Sequence, residues 1–214
     1  MDTRTSTEDV GVVVAPVPAH DLTAAAALAA RAMRDNPMHV AALGPNARRR
    51  VDVMRRAFEA MLTVDGRTTL GAWLDGRLVG VAAHAPSPIC RPGPREMLRF
   101  GPTTALAGAR TPRLLAWLAA WGRRDPDGEH SHLGPVAVEA SVRGRGIGSA
   151  LLAHYTREVD REGTAAYLET DRLANVRLYR RHGFVVVGEA EVLGVPTWFM
   201  VRPPGRPERS THED

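Results

Sequence analysis

The sequence predicts an α/β (α+β) fold built as one domain. Strand-like and helix-like segments alternate from about residue 9 to residue 203, as layered α/β architectures require. Val-rich runs such as Val12-Val13-Val14 and Val136-Ala137-Val138 suit buried strands. A chain of 214 residues, 44% hydrophobic and 24% charged, has the composition of an ordinary globular protein and can bury one sizeable core. The polar, proline-bearing ends, residues 1–8 and 204–214, read as flexible tails.

Taken in order, Val10–Ala15 is a first strand ended by Pro16. Asp21 is placed to cap a helix running to about Met33, stopped by Asp35-Asn36-Pro37. Val51, Met54, Phe58, Met61 and Leu62 fall at helical spacing within a second helix over about Asn46–Leu62. Thr68–Leu74 and Leu78–His84 form a hairpin around Asp75-Gly76. Pro86–Pro112 is punctuated by proline and glycine, with one short helix near Glu96–Phe100; Leu114–Trp121 is helical, and Asp125-Pro126-Asp127-Gly128 is a turn. Leu133–Glu139 is a strand, Gly146–Glu162 a helix and Ala165–Thr170 a strand. Leu173–His182 is a helix that Gly183 stops, with Arg180, Arg181 and His182 facing the negative end of its dipole. That gives His182 a structural role. Phe184–Val187 opens a strand and Thr197–Arg202 closes the sheet.

Several function classes are set aside. No stretch approaches the roughly 20 apolar residues of a membrane span, and the N-terminus lacks a basic start and an apolar signal core, so the reading is cytoplasmic. Every basic residue is arginine. These arginines alternate with acids and form no dense basic block, so the net charge of +4 is only a weak hint of nucleic acid and none is expected, while it still favours a polyanionic cofactor. Cys90 is the single cysteine, which excludes an intrachain disulfide and a multi-cysteine metal site. Set in a proline-rich loop, it reads as a half-buried or incidental thiol. His130-Ser131-His132 is a metal pair on paper, but no third ligand stands near it in the sequence, so no metal is expected. Trp117 and Trp121 line an apolar helix face that suits core, an acceptor pocket or a homodimer surface.

Chemistry concentrates at Arg143-Gly144-Arg145-Gly146-Ile147-Gly148-Ser149, where a strand runs into a glycine-rich turn that opens a helix. Glycines leave main-chain N–H groups uncovered, and the helix start adds unpaired donors and partial positive charge. Such a segment suits a pyrophosphate. A Walker loop needs lysine, which the chain lacks; a dinucleotide fingerprint counted from Gly144 finds Ser149 where its third glycine belongs.

A third pattern fits at every fixed position. Arg143-Gly144-Arg145-Gly146-Ile147-Gly148 resembles the Arg/Gln-x-x-Gly-x-Gly/Ala loop of the GNAT superfamily of N-acetyltransferases. The downstream block Leu168-Glu169-Thr170, Asn175 and Leu178–Phe184, ending in Trp198-Phe199-Met200, resembles it too, and within the superfamily is similar to puromycin N-acetyltransferase-like members. The resemblance implies a central mixed, twisted sheet of six to seven strands flanked by helices, with one splayed strand pair at an acyl-CoA site. It implies acetyl-CoA as cofactor and a small-molecule amine as acceptor.

By that resemblance, the strand of Val136, Ala137 and Val138 receives the pantetheine arm, with the Val138 N–H polarising the thioester carbonyl. The amides of Gly144, Arg145, Gly146, Ile147, Gly148 and Ser149 take the pyrophosphate. Arg143 either ties the loop to the fold or contacts phosphate, and Asn175 either meets the cofactor arm or caps its helix. Tyr179 is the candidate acid for the leaving sulfur and Glu169 the leading base, with His84, His132, Glu139 or a water in reserve. Glu169 should point away from Leu168, and a salt bridge to an arginine is its structural alternative. Protein acetylation and a non-catalytic acyl-CoA-binding module are the competing functions.

Overall fold

Val12–Pro16 (β1), Thr68–Leu74 (β2) and Arg77–Pro86 (β3) lie side by side, each antiparallel to the next. Asp75 and Gly76 take φ of 50° and 73°, the two positive values that a type I′ hairpin turn needs. The computed structural model describes residues 11–91 and 93–205, so the tails read at 1–8 and 204–214 and the strand start at Val10 fall wholly or mostly outside it. Beyond β3 come His130–Val138 (β4), Ala165–Thr170 (β5), Val185–Val192 (β6) and Val195–Arg202 (β7). Among the described residues these seven strands make one sheet in the order β1-β2-β3-β4-β5-β7-β6, with β4–β5 its parallel pair. The mixed sheet of six to seven strands is therefore what the chain builds.

Helices cover both faces. Leu22–Ala32 (α1), Pro37–Leu43 (α2) and Ala47–Leu62 (α3) share one apolar cluster with Val81, Ala83 and Ala137. The short helices Pro94–Arg99 (α4) and Gly101–Ala107 (α5) lead into Thr111–Gly122 (α6), whose Trp117 is buried in that same cluster. The Trp117–Trp121 stripe is thus mainly core. On the opposite face, Ile147–Arg161 (α7) and Leu173–Arg181 (α8) pack Leu151, Leu152, Val176 and Tyr179 against Leu133, Ala166 and Leu168.

Proline accounts for the main departures from expectation. Pro37, expected to stop α1, opens α2; Pro94, Pro102 and Pro112 likewise stand in the first turns of α4, α5 and α6. A missing N–H costs nothing where no intrahelical partner exists, so proline starts helices as readily as it ends them. The punctuated stretch from Pro86 onward therefore folds into three helices instead of one and the Leu114–Trp121 segment. Asp21 stands at the head of α1 but makes no side-chain cap, whereas Asn46 Oδ1 accepts from the Arg49 N–H at 3.0 Å to cap α3. β4 begins at His130, three residues earlier than expected, and β6 runs to a second positive-φ turn at Leu193-Gly194. Gly183, with φ of 84°, ends α8 as expected.

Candidate functional site

The site begins where β4 and β5 part. Their parallel pairing covers only His130–His132 against Ala165–Tyr167; the remainders of the two strands diverge. β4 also slips register against β3 between Ala82 and His84. As a result Ser131 and Leu133 face α7 before the slip and Val136 and Val138 after it, while His130, His132 and Ala137 face the other way. The Glu139 N–H donates to Val79 O at 2.9 Å, and Val81 stands opposite Ala137. Antiparallel alternation then commits Ala137 to β3 and turns the backbone groups of Val136 and Val138 toward the gap that β5 leaves open. Of the three residues proposed for this strand, Val136 and Val138 present main-chain groups to the wedge, and Ala137 does not.

Past Val138 the chain enters the glycine loop. Gly144 and Gly146 take φ of 81° and 79°, a region that glycine enters without strain, and a Cβ at either would stand in open space. The N–H groups of Gly144, Arg145, Gly146, Ile147, Gly148 and Ser149 make no hydrogen bond to any described residue. The first internal donor is Ala150, to Gly146 O at 2.9 Å. Six successive free donors at the start of a fifteen-residue helix make a cradle for an anion. Arg143 Nε donates to Val138 O at 3.2 Å and its NH2 to Ala32 O at 2.5 Å. Arg143 ties the loop to β4 and α1. Arg145 is exposed and pairs with no described residue. Ser149 Oγ lies 3.1 Å from His182 Nε2, so the helix-end histidine holds a loop hydroxyl.

Groups reach the wedge from both faces. Leu168 belongs to the α7-side core and Glu169 faces the other way, as alternation requires. Glu169 has a partner, but it is a histidine and not an arginine: His132 Nε2 lies 2.8 Å from Glu169 Oε2, and the Glu169 side chain is 4% exposed. On the α7 side, Tyr179 is buried, edge-on to Phe184 at 5.8 Å, and its hydroxyl makes no hydrogen bond to a described residue. Burial, reinforced by Asp171, pushes its ionisation up, so the phenol keeps its proton at neutral pH. A Cβ on Gly148 would lie 3.8 Å from both Leu178 and Val138, which brings α8 alongside the loop and the end of β4. Asn175 Nδ2 donates to Thr170 Oγ1 at 3.2 Å and fastens α8 to the tip of β5.

The three side chains held in reserve as bases are placed differently. His84 lies on the α7 face against Tyr155, with burial, then Arg67, lowering its pKa to about 4. Glu139 is committed to Arg31 at 2.5 Å. His132 remains, as the partner of Glu169.

Sequence reasoning missed what stands behind His132. Asp125, buried in the α6–β4 connection, places Oδ1 3.0 Å from His132 Nδ1 and 3.3 Å from His130 Nε2. Cys90 Sγ is 3.7 Å from that same His130 nitrogen and 3.9 Å from Asp125 Oδ2, and Arg91 grips Oδ2. Burial alone would raise the Cys90 thiol, but hydrogen bonds from His130 and His132 bring it down to about 7. A hydrogen bond with Asp125, above all, pushes His130 up to about 10. Cys90 is half-buried, as expected, and stands with Asp125 as a further ligand-type neighbour of His130 and His132. The His-x-His spacing on a strand was the available signal; Asp125 was read only as a turn residue.

A mixed sheet whose β4–β5 pair parts beside a helix start with six free main-chain amides is the architecture of an acyl-CoA-dependent N-acyltransferase. Residues 38–184, more than half the chain, match the acetyltransferase (GNAT) family, and the chain belongs to that family. It is similar to the solved structure of a histone acetyltransferase HPA2 and related acetyltransferase from Corynebacterium glutamicum, at 26% identity and a TM-score of 0.69, covering 92% of this chain and 98% of the other. At 15% identity (TM-score 0.56, covering 94% and 99%) it shares its fold with the ribosomal-protein-S18-alanine N-acetyltransferase of Escherichia coli. The same holds at 16% identity (TM-score 0.59, covering 90% and 99%) for the polyamine N-acetyltransferase of Drosophila melanogaster. As a GNAT enzyme the protein uses an acyl-CoA donor and an amine acceptor. Among the described residues, no helix is long and apolar enough to cross a membrane.

Proposed function

We propose that the protein transfers an acetyl group from acetyl-CoA to the amine of a small molecule, in the manner of the puromycin N-acetyltransferase-like branch of the family. The observation that carries this reading is the run of six unpaired amides, residues 144–149, leading away from a strand whose Val138 N–H faces the β4–β5 gap. That donor set fits a diphosphate, and the outward edge of Val136 and Val138 fits an extended pantetheine arm that adds to it as a strand would. The bound cofactor supplies an activated acyl thioester. The Val138 N–H stabilises charge building on the acyl oxygen. Glu169 takes the proton of the incoming amine, and His132 holds its carboxylate in place. Tyr179, which keeps its proton, donates it to the departing sulfur. Asn175 steadies the β5 tip, and Arg143 the loop. Arg145 contributes phosphate-side charge.

Small-molecule acceptance is supported by the resemblance of Leu168-Glu169-Thr170 and Thr197-Trp198-Phe199-Met200 to that branch; the two segments belong to paired strands β5 and β7. The similar structures include protein and small-molecule acetyltransferases, so the test sets the two against each other. Purified protein and acetyl-CoA are incubated with a panel of small amines and with N-terminal and lysine peptides, and released thiol is read. Turnover with a small amine at more than about tenfold the kcat/KM of any peptide is expected; the opposite ranking would overturn the reading.

A further inference from the structure

We infer that Cys90, Asp125, His130 and His132 form a zinc-type divalent metal site, built from four ligand atoms on three separate segments. The four ligand atoms lie within 4.8 Å of one another. Around a tetrahedral zinc ion with bonds of about 2.0–2.3 Å, neighbouring ligands stand roughly 3.3–3.6 Å apart. The cluster matches that scale: 3.0 Å and 3.3 Å from Asp125 Oδ1 to the two ring nitrogens, and 3.7 Å from Cys90 Sγ to His130 Nε2. One thiolate, one carboxylate and two imidazoles are a borderline-soft set that suits zinc better than magnesium or calcium.

Donor and acceptor counting makes the stronger case. All four ring nitrogens face oxygen. His130 Nδ1 lies 2.8 Å from Gly128 O, an obligate acceptor, and His132 Nε2 lies 2.8 Å from the Glu169 carboxylate. Those outer nitrogens therefore carry the protons. The inner nitrogens, His130 Nε2 and His132 Nδ1, both aim at the one oxygen Asp125 Oδ1. With lone pairs there, nitrogen and oxygen would repel; the contacts require either two further protons, giving adjacent buried imidazolium ions, or one shared cation. A divalent ion carries the charge of those two protons and bonds to all three atoms. With Cys90 as thiolate and Asp125 as carboxylate, the site is neutral.

The surroundings are those of a metal site. Each histidine is oriented by an oxygen on its far nitrogen, and Asp125 Oδ2, the oxygen not shared by the rings, is held by Arg91. The four protein ligands complete a tetrahedron and leave no open position, so the ion is structural. It clamps the α4–α6 excursion, which leaves the sheet near Cys90 and returns at Asp125, to β4. Through His132 it also orients Glu169.

Metal binding here does not depend on which acceptor the enzyme uses, and its test reads metal binding alone. The full-length protein, stripped with a chelator, is titrated with cobalt(II) and then with zinc(II). One equivalent of cobalt should produce the intense visible bands of tetrahedral coordination and a near-ultraviolet thiolate-to-cobalt band, and zinc should bleach both one for one. Cys90→Ser should lose the near-ultraviolet band, and His130→Gln should weaken binding more than about 100-fold. Zinc should also raise the Tm of the wild type, a readout that does not depend on how the variants fold. A pale octahedral spectrum in the wild type, no Tm response to zinc, or spectra unchanged in a folded Cys90→Ser protein would overturn the assignment.

Discussion

His132 and Glu169 meet at 2.8 Å just past the last rung of the β4–β5 ladder, His132 opposite Tyr167, so the carboxylate is held where the two strands separate. The contact joins two neighbourhoods: the wedge where β4 and β5 part and the Cys90–Asp125–His130 cluster behind it. A carboxylate that takes protons from substrate gains by being held in a fixed orientation, because proton transfer depends on geometry before it depends on basicity.

Replacing that carboxylate separates base from scaffold. Glu169→Gln can still accept from His132 Nε2 but cannot take a proton from the amine. We expect kcat/KM at neutral pH to fall by about 100-fold, with the CoA Kd unchanged and the loss shrinking as more of the amine is supplied unprotonated at high pH. A pH–rate profile parallel to that of the wild type would remove Glu169 from the proton path.

Tyr179 is tested by removing one oxygen. Tyr179→Phe keeps the edge-on packing against Phe184 at 5.8 Å and deletes the proton proposed for the sulfur. Turnover should drop by roughly 100-fold, while CoA affinity and Tm stay within error. Should affinity fall and turnover hold, the hydroxyl binds and does not protonate.

Gly146 carries the loop. At φ of 79° any other L-residue costs roughly 1–2 kcal/mol in backbone strain, and its Cβ would stand in the open cradle. Gly146→Val should therefore weaken CoA binding at least about tenfold by calorimetry. Gly148→Ala, outside the positive-φ set and with neighbours at ordinary contact distance, should fold normally. Equal CoA affinity for Gly146→Val and wild type would move the diphosphate elsewhere.

His84 sets an acid limit on stability. Burial, then Arg67, lowers its pKa from about 6.5 to about 4, so between those values the unfolded chain binds a proton that the folded one does not. Its contribution is complete above pH 6.5 and is lost as pH falls toward 4, up to about 3 kcal/mol. Glu158 Oε2, 3.4 Å from His84 Nε2, and Ser131 Oγ, 3.3 Å from Nδ1, are its other polar neighbours. Urea denaturation at pH 7 and 4.5 should show a larger loss for wild type than for His84→Gln; matching slopes would assign the acid sensitivity to other groups.

Much of the fold was legible because its signals are local. The Asp75-Gly76 turn, the Gly183 helix stop and the β-branched strands each follow from the conformational limits of a few adjacent residues. Proline misled where its meaning is two-sided: Pro37, Pro94, Pro102 and Pro112 open helices, and only the flanking chain decides whether a proline starts or stops one. The register slip in β4 left no pattern that could be read in advance, because it is settled by pairing with β3.

The sequence alone determined the anion cradle, since residues 143–149 are contiguous and main-chain donors at a helix start depend on little beyond backbone conformation. Tertiary structure alone decided what holds Glu169 and that Arg143 anchors the loop through Val138 and Ala32. It also gathered Cys90, Asp125, His130 and His132 into one cluster. Side-chain chemistry of that kind depends on distances between segments far apart in the chain, and those distances exist only once the sheet and its helices have packed.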